Sequence, residues 1–105
     1  MDTRRNVGVA KILCVELDLF VLESRCAVLK YSGYDAASAS PQVAEMLLSS
    51  QKFDLIVLST VSDSDLHRIV NLSDGAEVLV LDGLTMLSKL LSLVAQRLNR
   101  HKRKA

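Results

Sequence analysis

The chain has 105 residues, the size of one domain, and half of them are apolar, which is enough to build a core. Aromatic residues make up only 4%, so this core must be aliphatic. The net charge of +1 is unevenly placed, because all twelve acidic residues precede residue 97 while five of the thirteen basic ones lie at or after it. The chain is therefore a mildly acidic domain with a basic end, and the lack of any apolar run of about 18 residues excludes a membrane span.

The sequence shows neither a signal-peptide pattern at its beginning nor a metal-binding or redox motif at its cysteines. MDTRRNVGVA lacks the apolar centre of a signal peptide, so we expect a cytoplasmic protein. Cys14 and Cys26 form no C-x-x-C pair and have no nearby His, and each lies among apolar residues. We therefore expect buried, unreactive thiols and neither a metal nor a cofactor.

The first half of the chain predicts two strands, each followed by a helix. Residues 11–15 (KILCV) are a continuous apolar run, typical of a strand buried on both faces. Asp18 is a candidate N-cap, and Gly33 ends the helix that follows. The stripe of this helix comprises Val21, Leu22, Arg25, Cys26, Val28 and Leu29. Residues 34–39 predict a second strand. Ser40 and Pro41 then start a helix whose buried face holds Val43, Ala44, Leu47 and Leu48.

The second half repeats this pattern twice. Residues 54–59 predict a third strand, and a short helix capped within residues 62–65 follows, with Leu66, Ile69 and Val70 on its inner face. Asp74-Gly75 turns the chain into a fourth strand at 77–81 (EVLVL). After Asp82-Gly83, a long helix is predicted from about 85 to about 99, with Leu87, Leu90, Leu91, Val94 and Leu98 as its stripe.

Alternating strands and helices predict an α/β fold with a parallel sheet, right-handed crossovers and helices on both faces. We expect a flavodoxin-like three-layer sandwich with a truncated, four-stranded sheet in the order 2-1-3-4. The predicted organisation is an N-terminal lead at 1–9, the domain at 10–99 and a mobile basic tail at 100–105.

Polar side chains follow three of the predicted strands, at the edge where sites form in open parallel sheets. They are Glu16 and Asp18 after the first strand, Ser59 after the third and Asp82 after the fourth. Ser59 is either a small strand-end residue bonded to backbone or a modified or catalytic serine. Glu16 and Asp18 are either helix-capping charges or a vestigial pocket that binds a cation weakly. Asp82 is either a turn residue or a second carboxylate close to Glu16, which can raise a pKa.

The succession KILCVELD, helix, SGYDAASAS, Pro-led helix and FDLIVLS resembles the CheY-like receiver domain of bacterial two-component response regulators. In that family, an acidic pair after the first strand and a phospho-accepting Asp at the end of the third hold Mg²⁺. The matching positions here are Glu16, Leu17 and Ser59. Asp82 stands where the family has a Ser or Thr, and the family's fifth strand, with its Lys, is missing.

These departures predict a receiver-like domain that is not phosphorylated at Ser59 and is not an enzyme. A serine hydroxyl is a weak nucleophile without a neighbouring base, and neither His67 nor His101 is placed to act as one. Phosphoryl transfer also needs cations to neutralise the developing charge. The resemblance therefore implies a protein-interaction module in bacterial signal transduction, with another receiver-like or kinase domain as the expected partner.

We also expect a homodimer, formed through the last helix, the fourth strand or both. Leu84, Met86 and Leu93 fall away from the stripe of the last helix, and the fourth strand lies at a sheet edge. Two alternatives stay open. Glu16, Asp18, Ser59 and Asp82 could form a pocket that senses a small molecule or metal, or supports slow hydrolysis. The basic tail could bind nucleic acid, which we do not expect because no aromatic residues interleave its charges.

Overall fold

The computed structural model describes residues 9–59, 61–81, 85 and 87–104, with the backbone alone for 101–104. Strands and helices alternate as predicted: β1 (Lys11–Glu16), α1 (Leu19–Tyr31), β2 (Asp35–Ala39), α2 (Pro41–Ser50), β3 (Leu55–Ser59), α3 (Asp63–Leu72), β4 (Glu77–Val80) and α4 (Leu87–Lys104). The predicted end of the last helix near Asn99 is wrong, because α4 continues to Lys104. The predicted boundary between domain and basic tail therefore falls inside a helix.

The four strands form one parallel sheet in the order β2-β1-β3-β4, which confirms the predicted fold class. Side chains on one face of β1 and β3, such as Ile12 and Val57, pack with α1 and α4. Side chains on the other face, such as Leu13 and Ile56, pack with α2 and α3. Burial on both faces explains why β1 and β3 are continuous apolar runs without polar alternation.

Local sequence signals set the ends of the helices. The Asp18 carboxylate caps α1, and the hydroxyls of Ser40 and Ser62 accept the amides of Val43 and Asp65 at the starts of α2 and α3. Gly33 follows α1 with φ of +100°, a conformation that costs glycine little. These caps confirm the predicted helix starts.

Several predicted helix faces are wrong at their margins. Val43, Val70 and Leu87, expected to face the core, are 45%, 43% and 40% exposed. Leu93, expected to face away from it, is partly buried against the α1–α4 side of the sheet. Each helix contacts the sheet along a narrow stripe, such as Leu90, Val94 and Leu98 in α4, so residues at the edges of a wider apolar pattern reach solvent. Leu84 and Met86 lie outside the described residues.

Both cysteines are buried, which confirms that prediction. Burial raises the pKa of the Cys14 thiol to about 12, and the nearby Cys26 acts in the same direction. Such a thiol stays protonated and is a poor nucleophile at neutral pH. Among the described helices, none has the length and apolar character that a membrane crossing requires.

Candidate functional site

The carboxyl ends of β1 and β3 bring Glu16 and Ser59 side by side. The two residues are partners in the parallel register of these strands. Because side chains alternate along a strand, both point to the same face as Cys14 and Val57, the face that α1 and α4 cover. Glu16 is 2% exposed and Ser59 is 1% exposed. Two of the predicted site residues therefore do meet, but beneath the surface.

A third side chain, Arg25, completes this cluster from α1. Its Nη1 atom lies 3.4 Å from Glu16 Oε1 and also donates a hydrogen bond to Ser59 Oγ. Ser59 Oγ in turn donates to Glu16 Oε1. Arg25 is itself buried, so the guanidinium and the carboxylate neutralise each other away from water. We call Glu16, Arg25 and Ser59 the buried triad.

Residues 17 and 18 leave the sheet edge and do not join the buried triad through their side chains. The Asp18 amide donates to Glu16 Oε2 at 3.2 Å. The Asp18 carboxylate accepts the amides of Phe20 and Val21 at 3.0 and 3.3 Å, so it is occupied as the N-cap of α1. Leu17 is 57% exposed. Asp18 therefore performs the capping role that its position before a helix predicted.

Asp82 and Thr60 lie outside the described residues, so the predicted closeness of Asp82 to Glu16 stays a prediction. Within the described ranges, no three His, Cys, Asp or Glu side chains come together as a set of metal ligands. The Glu16 carboxylate already receives the Arg25 guanidinium, the Ser59 hydroxyl and the Asp18 amide. A further cation at this carboxylate would have to displace or repel the arginine.

The chemistry open to Ser59 differs from the expectation in one respect. We expected no histidine base beside this serine, and its hydroxyl instead donates to the Glu16 carboxylate, a group that can accept a proton. At 1% exposure, however, Ser59 Oγ offers almost no surface to a substrate. Its hydroxyl also accepts from Arg25, which lowers its capacity to attack an electrophile. The arrangement is that of a structural polar cluster.

Arg25 was predicted to lie in the stripe of the first helix but was not among the predicted site residues. The available signal was a charged residue between Leu22 and Leu29 on the face of α1 that packs against the sheet. Arginine is almost never fully buried without a partner, so an arginine whose tip stays inside such a stripe needs a buried acid or hydroxyl nearby. Glu16, at the end of the preceding strand, was the obvious candidate.

No protein-family model matches the chain, and no curated protein matches it. Solved structures do. A response regulator receiver protein from Sinorhizobium medicae matches with a TM-score of 0.73 and 14% identity, covering 90% of this chain and 98% of that one. The chain has a receiver-like fold. A CheY-like receiver domain from Methanospirillum hungatei agrees, with a TM-score of 0.70, 14% identity and coverage of 93% and 100%.

A signal receiver domain from Vibrio parahaemolyticus also matches the receiver-like fold, with a TM-score of 0.63, 17% identity and coverage of 91% and 95%. The likeness spans nearly the whole of each chain, so the fold expected from the sequence resemblance is confirmed. At such low identity the likeness concerns the path of the backbone. What the site does has to be argued from the buried triad itself.

Proposed function

We propose that this chain is a pseudo-receiver: a non-enzymatic domain that is not phosphorylated and acts by binding other proteins in bacterial signal transduction. The observation that supports the proposal is the buried triad. Its carboxylate is neutralised by a cation of the protein itself, and a serine stands at the strand end where the resembling family carries its phospho-accepting Asp. We expect the protein to work in the cytoplasm.

Charge is the first reason to propose that phosphoryl chemistry is lost. Mg²⁺ prefers carboxylate and water oxygens in near-octahedral geometry. In the triad, the guanidinium of Arg25 occupies the carboxylate that a metal would need. The next residue along the chain, Leu17, has no oxygen in its side chain to offer.

Access is the second reason. Phosphoryl transfer requires the nucleophile to lie in line with the leaving group, within contact distance of the donor. Ser59 Oγ is enclosed by Arg25 and Glu16 and is almost fully buried. A phosphodonor cannot reach it unless the buried triad first opens.

The remaining function is recognition through the surface. Phe20 and Tyr31, two of the four aromatic residues of the chain, are 80% and 95% exposed. Exposed aromatic side chains are typical anchors of protein interfaces. We expect the partner to be another receiver-like or kinase domain that binds the surface of this domain non-covalently.

The proposal is tested by intact mass after incubation with Mg²⁺ and acetyl phosphate. An ordinary receiver domain, treated identically, shows that the donor is active. We expect the mass of this chain to be unchanged while the control gains one phosphoryl group. A stable phosphoryl adduct on the folded wild-type chain, mapped to Ser59 or to any carboxylate, would overturn the proposal.

A further inference from the structure

Helix α1 presents side chains suited to burial on two opposite faces. Leu22, Arg25, Cys26 and Leu29 face the sheet. The opposite face carries Phe20, Ser24, Ala27 and Tyr31, and both aromatic residues are exposed. A helix on the surface of a domain usually turns a charged or polar face to water. The outer face of α1 is therefore suited to contact with another protein.

The spacing of this outer face is that of a coiled-coil seam. Phe20, Ser24, Ala27 and Tyr31 are separated by four, three and four residues, which places them along one stripe. Glu23 and Lys30 are seven residues apart and flank the stripe on the same side. In coiled coils, charged residues at such flanking positions select the partner and its orientation.

The stripe is complementary to itself when a second copy runs antiparallel. Phe20 then lies opposite the partner's Tyr31, and Ser24 lies opposite the partner's Ala27. The two small residues fall at the centre, where they allow the helices to approach closely. Glu23 meets the partner's Lys30, and the twofold axis repeats this pair of opposite charges. In a parallel arrangement, the flank that carries Glu23 and Lys30 would instead face the other flank of the partner's stripe, where Val21 and Val28 lie, and no pair of opposite charges would form.

We propose that two copies of this chain associate through the outer faces of α1, packed antiparallel about a twofold axis. Because Glu23 and Lys30 pair with each other across the twofold axis, the charges of this surface favour a second copy of the same chain as its partner. The interface does not involve the buried triad, so it stands whether or not the chain accepts phosphate. With α1 only 13 residues long, or about 20 Å, the dimer is expected to be weak.

The surfaces that the sequence favoured for dimerisation are less suited to it. The outer side of α4 carries Ser88, Lys89, Ser92 and Gln96, all exposed and polar. Glu77 and Leu81 turn their amides to β3, so the backbone groups of Val78 point to the free edge of β4. There Arg97 Nη1 donates to the Val78 carbonyl at 2.7 Å. The chain's own arginine thus covers the edge at the point where another strand would pair.

The test is sedimentation equilibrium of the full chain at concentrations up to about 1 mM, with Glu23→Lys, Lys30→Glu and the double variant. Each single variant turns two attractive pairs into two repulsive ones, which should weaken the dimer about tenfold. The double variant restores both pairs with their charges exchanged, and should return the dissociation constant to near the wild-type value. Lys89→Glu on α4 is the matched control, because it makes the same change of charge on an exposed residue away from the stripe.

Circular dichroism confirms that each variant is folded before its association is compared. A wild-type chain that stays monomeric at about 1 mM overturns the proposal. So does a dimer that Lys89→Glu weakens as much as Lys30→Glu, or that the double variant fails to restore. Val80→Asp probes the remaining exposed side chain of β4, and a dimer that only this variant disrupts would place the interface there instead.

Discussion

The Glu16–Arg25 pair should be strongly coupled in stability. Glu16→Gln or Arg25→Met removes one charge and leaves its partner buried without compensation. The two side chains are only 2% and 4% exposed, so water screens neither charge. Breaking a buried ion pair in this way costs about 3–5 kcal/mol. That is a large fraction of the roughly 5–15 kcal/mol that stabilises a domain of this size.

The double variant Glu16→Gln/Arg25→Met should be far more stable than the sum of the single effects implies. It removes both charges and keeps one amide oxygen, which can accept from the Ser59 hydroxyl as Glu16 Oε1 does, while the Asp18 amide loses its acceptor at Oε2. Replacing a whole buried pair by neutral groups is often close to neutral for stability. We expect the double variant to lie within about 1 kcal/mol of wild type, a coupling of several kcal/mol.

Urea denaturation of the wild type, the two single variants and the double variant measures this coupling. The midpoints are compared at a common slope of unfolding free energy against urea concentration. Arg68→Met is the matched control, because Arg68 also pairs with acids, Glu45 and Asp65, but is 54% exposed. An exposed pair contributes at most about 1 kcal/mol, so this variant should change stability little. Single variants at the triad that cost no more than Arg68→Met, or effects that simply add, would refute the burial argument.

Three further outcomes follow from the helix ends and the thiols. Asp18→Ala should destabilise the domain by about 1 kcal/mol through loss of the α1 cap, while Asp18→Ser should retain most of it; thermal unfolding of both separates the cap from the charge. Gly33→Ala should cost about 1 kcal/mol or more in the same assay, because its φ of +100° strains any residue with a Cβ, although no atom lies within 4 Å of that Cβ. The Cys14 pKa is raised from 9.0 to about 12, so the unfolded thiol ionises first and stability should fall as pH rises through that window. Cys14→Ala should flatten that fall, and an identical pH profile in the variant would show that another group causes it.

The layered architecture was predictable because several local signals agreed. Uninterrupted apolar runs at β1 and β3 mark strands buried on both faces, and caps such as Ser40-Pro41 mark where helices begin. Alternation of the two elements, with right-handed crossovers, leaves few possible topologies. The edges of the helix faces were less predictable, as Val70 and Leu93 illustrate, because the width of each contact stripe depends on where neighbouring elements sit.

The buried triad was only partly predictable. Glu16 and Ser59 were expected at one sheet edge from strand order alone, and the register confirms that they are neighbours. Arg25 was missed because a long cationic side chain in an apolar stripe is ordinarily assumed to reach solvent at its tip. Only the packing of α1 against the end of β1 turns that tip inward.

NMR of the ¹⁵N-labelled chain can show whether the buried triad closes this sheet edge to metal and phosphate. Amide shifts of Glu16 and Ser59 would be followed while Mg²⁺, and then Mg²⁺ with acetyl phosphate, is added. We expect no saturable change at either amide at millimolar Mg²⁺, because Arg25 neutralises the carboxylate and Ser59 is enclosed. Saturable shifts centred on Glu16 and Ser59 would contradict it, and would mean that the triad opens to bind what it is proposed to exclude.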